Sequence, residues 1–159
     1  MTTTAPTAEG RLRELGLHLP DAPTPFGAYV PAVQTGNLLF LSGMLATSGH
    51  AATVVGIVGK DLDLKAGRQA AYTAALNVLA LTRKQLGSLD RVSRVVRLGV
   101  YIAATAEFTE HPKVADAASE LLRDVFGQTS VSSRLVFGVA SLPLGSPVEL
   151  EIILEVKGA

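Results

Sequence analysis

The chain has 159 residues, the length of one ordinary domain, which leaves no room for a separate cofactor-binding domain. Fourteen Lys and Arg residues balance fourteen Asp and Glu residues, and charged residues make up only 18% of the sequence. Proteins that bind polyanions carry an excess of positive charge, so the composition argues against nucleic acid as the partner. Hydrophobic residues make up 48%, more than so short a chain readily buries alone, and we therefore expect an oligomer.

The chain contains no cysteine, which excludes disulfides, thiolate nucleophiles and cysteine-ligated metal centres. His18, His50 and His111 are far apart and lack the i, i+4 spacing of helical metal ligands, so no metal site is predicted. Residues 1–10 lack the basic and apolar regions of a signal peptide, and the charge-free span 22–59 is interrupted too often for a membrane helix. We therefore expect a cytoplasmic protein without a membrane segment.

The first part of the chain predicts a short helix followed by three strands. Residues 8–16 form this helix, which ends at Gly16, and the prolines up to Pro25 predict an extended lead-in. We divide the chain accordingly into an N-terminal short helix and lead-in over residues 1–22 and a single domain over residues 23–159. The three strands are β-branched or apolar runs limited by glycines, namely Ala32–Thr35, Leu38–Ser42 and Thr53–Val58.

The rest of the chain alternates long helices and strands. Apolar residues at helical spacing predict one helix over Ala66–Leu86 and a second between Pro112 and Gly127. The order indicates an α+β fold in which two long helices pack on one face of a mixed six-stranded sheet. In the last strand glutamates alternate with apolar residues, so one face of the sheet packs on helices and the other faces something polar. The three strands of this part are Val92–Ile102, Ser132–Val139 and Val148–Val156.

Two charged residues, Arg134 and Glu149, stand in otherwise apolar strands. An unpaired charge is costly to bury, so each needs a partner or access to water. One interpretation is structural: the two form a salt bridge across neighbouring strands, or both are exposed. The other is functional: Arg134 binds a substrate carboxylate through two parallel hydrogen bonds, and Glu149, with its pKa raised in a semi-apolar cleft, positions or activates water.

Several segments resemble the reactive-intermediate deaminase family, also called the RidA or YjgF/YER057c/UK114 family. The similarity extends over about residues 23–157 and rests on Pro25-x-Gly27-x-Tyr29, Gly36 to Gly43, Arg134, and Leu142-Pro143-x-Gly145-x-x-Val148-Glu149-Leu150-Glu151. It is closest to the longer-chain, chorismate-mutase-like group that is labelled "putative endoribonuclease". The segments shared with that group are Arg11 to Gly16, Gly87 to Val92, and Phe108 to Gly127.

The resemblance implies a homotrimer whose three sheets form a central barrel, with ligand clefts between subunits. It implies that Arg134 holds the carboxylate of an enamine or imine derived from an amino acid. Glu149 would serve the water that releases ammonia and leaves a 2-keto acid, and Tyr29, Ser42 and Gly43 would line the cleft. Neither a metal nor an organic cofactor is expected, and the partners are a small carboxylate ligand and further copies of the chain.

The chain departs from the family pattern at four positions around this site. Val30, Met44 and Leu135 replace polar residues, and Asp116 stands where the longer-chain group carries a neutral asparagine, so its anion is expected to repel a carboxylate ligand. Three functions therefore stay open. They are an enamine/imine deaminase of the hydrolase class, which is favoured, a non-catalytic trimer that binds small carboxylates, and an endoribonuclease, which zero net charge and 5% aromatic residues disfavour.

Overall fold

The computed structural model describes residues 5–158. Residues 1–4 and residue 159 lie outside the described residues. Residues 1–4 belong to the N-terminal stretch that lacks the pattern of a signal peptide. Residues 5–158 contain the α-helices α1 (Ala8–Glu14), α2 (Leu64–Leu86) and α3 (His111–Phe126). Their strands are β1 (Ala32–Thr35), β2 (Leu38–Leu45), β3 (Thr47–Ser48), β4 (Ala51–Ala52), β5 (Val92–Ala103), β6 (Ser133–Val139) and β7 (Val148–Val156). Among these residues no helix has both the length and the apolarity to cross a bilayer.

Five of the strands form one mixed sheet in the order β1-β2-β7-β5-β6. Neighbouring strands are antiparallel except β5 and β6, which are parallel. The turn between β1 and β2 uses Gly36 with a φ of 56°, which a two-residue hairpin favours. The sheet is open within the described chain, with β1 at one edge and β6 at the other. The α+β class and the mixed sheet are therefore confirmed.

The strand predicted over Thr53–Val58 is wrong, so the main sheet of the described chain has five strands rather than six. The backbone of Gly56 takes a φ of 144° and leaves the extended path. Beyond it, the Ile57 amide donates to the Asp61 carboxylate at 2.9 Å, and the Ile57 carbonyl accepts from the Asp61 amide at 2.9 Å. This closed turn uses the polar backbone groups that a strand would offer to a neighbour, and only Val58 keeps isolated bridges.

The two long helices cover one face of the sheet, as the sequence predicts. Along β7 the burial alternates, with even-numbered residues buried and Glu149, Glu151, Ile153 and Glu155 half-buried on the opposite, open face. Alanines let α2 approach the sheet closely. The helical residues whose side chains are at most 1% exposed include Ala70, Ala71, Ala74, Ala75, Val78 and Leu79 of α2 and Val114, Ala118 and Val125 of α3.

The N-terminal helix α1 is joined to the rest of the molecule by the carboxylate of Glu9. It accepts hydrogen bonds from Arg83 Nε at 3.0 Å and from the amide of Leu89 at 2.9 Å. The Arg83 guanidinium holds the pKa of Glu9 below its usual value. The helix ends at Glu14, two residues earlier than predicted, because Leu15 forms its C-terminal cap.

Candidate functional site

A cavity of about 490 Å³ opens beside β2, and four of the five residues singled out in the sequence line it. The lead-in contributes Tyr29, β2 contributes Ser42 and Gly43, and β7 contributes Glu149. The structure thus brings these four together from three separate segments of the chain. The remaining wall is largely apolar and includes Phe26, Leu45, Pro143 and Leu144.

The carboxylate of Glu149 lies against the α-carbon of Gly43. β2 shifts register against β7 between Leu41 and Met44, so Gly43 lies in an irregular part of the strand pair. A β-carbon on Gly43 would overlap Oε1 of Glu149, and only glycine allows this approach. Burial raises the pKa of Glu149 above its usual value. A half-buried carboxyl whose pKa is raised in this way is suited to taking and returning a proton.

Hydrogen bonds hold the lead-in against β2 and form the mouth of the cavity. Ser42 Oγ donates to the carbonyl of Val30 at 2.7 Å, and the Ser42 amide donates to the carbonyl of Pro31 at 2.9 Å. The Tyr29 hydroxyl accepts from the amide of Phe26 at 3.1 Å, so its own proton can be donated to a ligand. Tyr29 is 48% exposed at the cavity edge.

A buried amide on α2 fixes the end of β2 from the helix side. Asn77 is 1% exposed, and its Nδ2 donates to the carbonyls of Leu45 and Thr47, both at 3.0 Å. These two carbonyls lie just beyond the irregular segment that contains Gly43. The hydrogen bonds therefore satisfy buried backbone groups where the regular ladder ends, and they position one wall of the cavity.

The fifth residue, Arg134, lies outside this cavity. It is on β6, and its register partner on β5 is the fully buried Leu98, so its side chain points to the helix face. Arg134 Nη1 donates to Asp116 Oδ1 at 2.7 Å and to Ser119 Oγ at 3.1 Å, both on α3. The interpretation of a salt bridge between Arg134 and Glu149 across neighbouring strands is wrong, because β5 separates β6 from β7 and the two side chains lie on opposite faces.

Two residues of the cavity wall, Phe26 and Leu144, were not singled out in the sequence, although they occupy the unspecified positions of motifs quoted there. Leu144 has a φ of 60° and is the one non-glycine residue in the described range with a positive φ. The left-handed conformation costs an ordinary residue about 1–2 kcal/mol. Strain of this size beside a cavity is typical of a functional site.

Two of the three histidines make local contacts. His50 shares a hydrogen bond with Thr24 Oγ1 at 2.6 Å, and its ring lies 4.8 Å from that of Phe26. His111 begins α3, with its ring edge against Phe108. Across residues 5–158 no group of three or more metal-ligating side chains is arranged to hold an ion.

Comparison with known proteins gives the family. The profile of the family described as "YjgF/chorismate mutase-like, putative endoribonuclease" matches residues 9–156. The chain belongs to the YjgF family. This membership confirms the resemblance that the motifs indicated, and the family description carries both the chorismate-mutase-like and the endoribonuclease labels.

Relatives of this YjgF-family chain cover almost its whole length. Protein TCP17 of Trypanosoma cruzi is 38% identical over 147 residues, which is 92% of each chain. A protein of Dermatophagoides farinae named 2-iminobutanoate/2-iminopropanoate deaminase is 30% identical over 87% of this chain and 93% of its own. A crystal structure from Shewanella oneidensis, described as a putative endoribonuclease, superposes with a TM-score of 0.89 at 31% identity and covers 94% of this chain and 99% of its own.

Proposed function

We propose that this protein is a homotrimeric enamine/imine deaminase that hydrolyses amino-acid-derived reactive intermediates to 2-keto acids and ammonia. The observation that carries the proposal is the cavity in which a desolvated Glu149 lies beside Tyr29, Ser42 and Gly43. The name of the Dermatophagoides relative, at 30% identity, supports the same reaction class.

In the proposed trimer the β6 edge of one subunit meets the β1–β2 edge of the next, so that Arg134 reaches a neighbour's cavity. Three observations support this arrangement. The cavity and Arg134 lie toward opposite edges of the sheet, and the outer sides of β1 and β6 are unpaired within the described chain. Contacts between two different surfaces can close into a ring. Large apolar side chains on the open face are 38% to 54% exposed, namely Val33, Phe40, Leu135 and Phe137.

The proposed reaction requires only a group that binds the substrate carboxylate and a group that transfers protons. Arg134 binds the carboxylate of the iminium acid, and a water molecule adds to the carbon of the C=N bond while Glu149 accepts the water proton. Glu149 then returns this proton to the nitrogen and takes the hydroxyl proton of the adduct as the C–N bond breaks. The carbonyl of the 2-keto acid forms, and the released ammonia takes up the proton from Glu149 to give ammonium. Orientation of the carboxylate and proton transfer through one carboxyl group are sufficient catalysis for this reactive substrate class.

The test is to generate 2-iminopropanoate in solution and to follow release of the keto acid with and without protein. We expect wild type to accelerate release, and Arg134→Ala and Glu149→Gln to lose about 10²-fold or more of that acceleration. Arg68→Ala is the matched control, because Arg68 pairs with Glu120 on the outer side of the helices at 3.3 Å. Equal rates for wild type and Arg134→Ala would refute the proposal.

The second candidate is a trimer that binds small carboxylates without turnover. It is favoured by the contact between Arg134 and Asp116, because a guanidinium already paired with an anion binds a substrate carboxylate less strongly. Calorimetry with 2-keto acids separates the two candidates: binding without accelerated imine hydrolysis supports the second. The endoribonuclease label has less support, since the open face carries glutamates along β7 and the net charge is zero.

A further inference from the structure

The surroundings of Arg134 contain an anion that the proposed reaction does not use. Arg134, Asp116 and Ser119 line a cavity of about 250 Å³ between α3 and β6. Only Nη1 of the guanidinium is engaged, by Asp116 Oδ1 at 2.7 Å and Ser119 Oγ at 3.1 Å. Within residues 5–158, Nε and Nη2 of Arg134 and Oδ2 of Asp116 have no hydrogen-bond partner.

These unpartnered atoms are two donors on one edge of the Arg134 guanidinium and one acceptor on the carboxylate that is paired with it. A carboxylate needs the two donors on the Nε and Nη2 edge of Arg134, whereas a cationic nitrogen needs the free oxygen of Asp116. Because the ion pair has no net charge, a simple anion is attracted by Arg134 and repelled by Asp116. A ligand that carries a cationic nitrogen and a carboxylate on the same carbon offers a complementary partner for each.

We propose that Arg134 and Asp116 act together as a zwitterion clamp, which selects ligands with a cationic nitrogen next to a carboxylate over the 2-keto acid of the same carbon skeleton. The inference rests on the proposed function, because it concerns the same site. An iminium acid carries both charges, whereas the product 2-keto acid carries only the negative one. Asp116 therefore favours binding of the substrate and release of the product, and it is a specificity-determining residue rather than a catalytic one.

Asp116→Asn removes the negative charge and keeps the size of the side chain. Two unit charges about 5 Å apart in a largely aqueous environment interact strongly enough to change affinity by about fourfold. The variant is therefore expected to bind a 2-keto acid about fourfold more tightly than wild type does. Its affinity for the matching amino acid is expected to stay the same or to fall, because the attraction to the ammonium group is lost.

The experiment is calorimetric titration of the full chain with L-2-aminobutyrate and 2-oxobutyrate, which have the same carbon skeleton. Glu120→Gln is the matched control: it removes the same charge from the same helix, but Glu120 pairs with Arg68 at 3.3 Å and does not line this cavity. We expect the control to keep both affinities of wild type. Asp116→Ala is the second variant, and circular dichroism shows that each variant is folded.

The outcomes separate the clamp from the proposed function. A rise in 2-oxobutyrate affinity that is confined to the Asp116 variants supports the clamp. Equal changes in affinity for both ligands, or no change in either affinity, overturn the clamp. If wild type still hydrolyses imines in that case, the deaminase proposal stands. A wild type that neither binds these two ligands nor hydrolyses imines overturns both.

Discussion

Gly43→Ala moves the carboxylate of Glu149 without changing its chemistry. The added β-carbon would overlap Oε1 and lie 3.1 Å from Cδ of Glu149, so the carboxylate has to rotate away from its present position. The clash is with the free end of a flexible side chain, so its cost lies at the lower end of the range for overpacking, about 1 kcal/mol. In a domain of this length, that cost lowers Tm by about 2–4 °C. Because the displaced carboxylate no longer points into the cavity, we also expect imine hydrolysis to fall by about 10²-fold.

The reasoning is tested by a double-mutant cycle with Glu149→Ala, using thermal unfolding at one protein concentration. In the Glu149→Ala background the new methyl group has no carboxylate to displace, so Gly43→Ala should cost little. Gly158→Ala is the control, since a β-carbon there meets nothing within 4 Å. The same loss of Tm in both backgrounds would show that Glu149 is not what excludes a side chain at position 43.

Glu149→Gln is expected to raise Tm at pH 8, with a gain that shrinks as pH falls through the native pKa and is absent below about pH 4.3. Burial raises the pKa of the Glu149 carboxyl in the native state. The ionised carboxylate therefore destabilises the native protein above that pKa, and it has no effect below the pKa of the unfolded chain, where the group is protonated in both states. A gain in Tm that does not depend on pH would contradict this. Glu9→Gln is expected to lose about 1–3 kcal/mol in urea unfolding at pH 7. The Arg83 guanidinium lowers the pKa of Glu9, so this loss should shrink as pH falls through the native pKa, and an unchanged loss at pH 3 would argue against the contact. Leu144→Gly relieves the strain of a positive φ and should raise the free energy of unfolding by about 1 kcal/mol. It should also weaken ligand binding, because it removes part of the cavity wall. Urea unfolding checks the first effect, and calorimetric titration checks the second.

The elements with strong periodicity could be predicted from the sequence. Each of these elements buries one face. The apolar residues of α2 and α3 therefore recur at helical spacing, and those of β7 alternate with polar residues, so neighbouring positions in the sequence are enough to predict them. Thr53–Val58 could not be predicted, because its β-branched composition is outweighed by the turn that Asp61 and Gly56 close. That turn depends on one side chain hydrogen-bonding to the backbone four residues away, which periodicity does not record.

The candidate site was predicted only in part, for a similar reason. Tyr29, Gly43 and Glu149 come from distant segments, and the resemblance of short motifs grouped them before any contact could be inferred. One of the interpretations open from the sequence paired Arg134 with Glu149, and in the described chain Arg134 pairs with Asp116 instead. Residue types alone identify a charge that needs a partner, but the order of strands in the sheet decides which acid is near, and β5 lies between β6 and β7.

A site that takes Arg134 from one subunit and Glu149 from its neighbour is tested most directly by mixing two inactive variants, Arg134→Ala and Glu149→Gln. In a ring assembled at random from equal amounts, about a quarter of the sites pair an intact cavity with an intact guanidinium. We predict that co-refolded mixtures recover about a quarter of wild-type imine hydrolysis, although each variant alone is inactive. Mixtures that stay as inactive as their components would contradict a site shared between subunits.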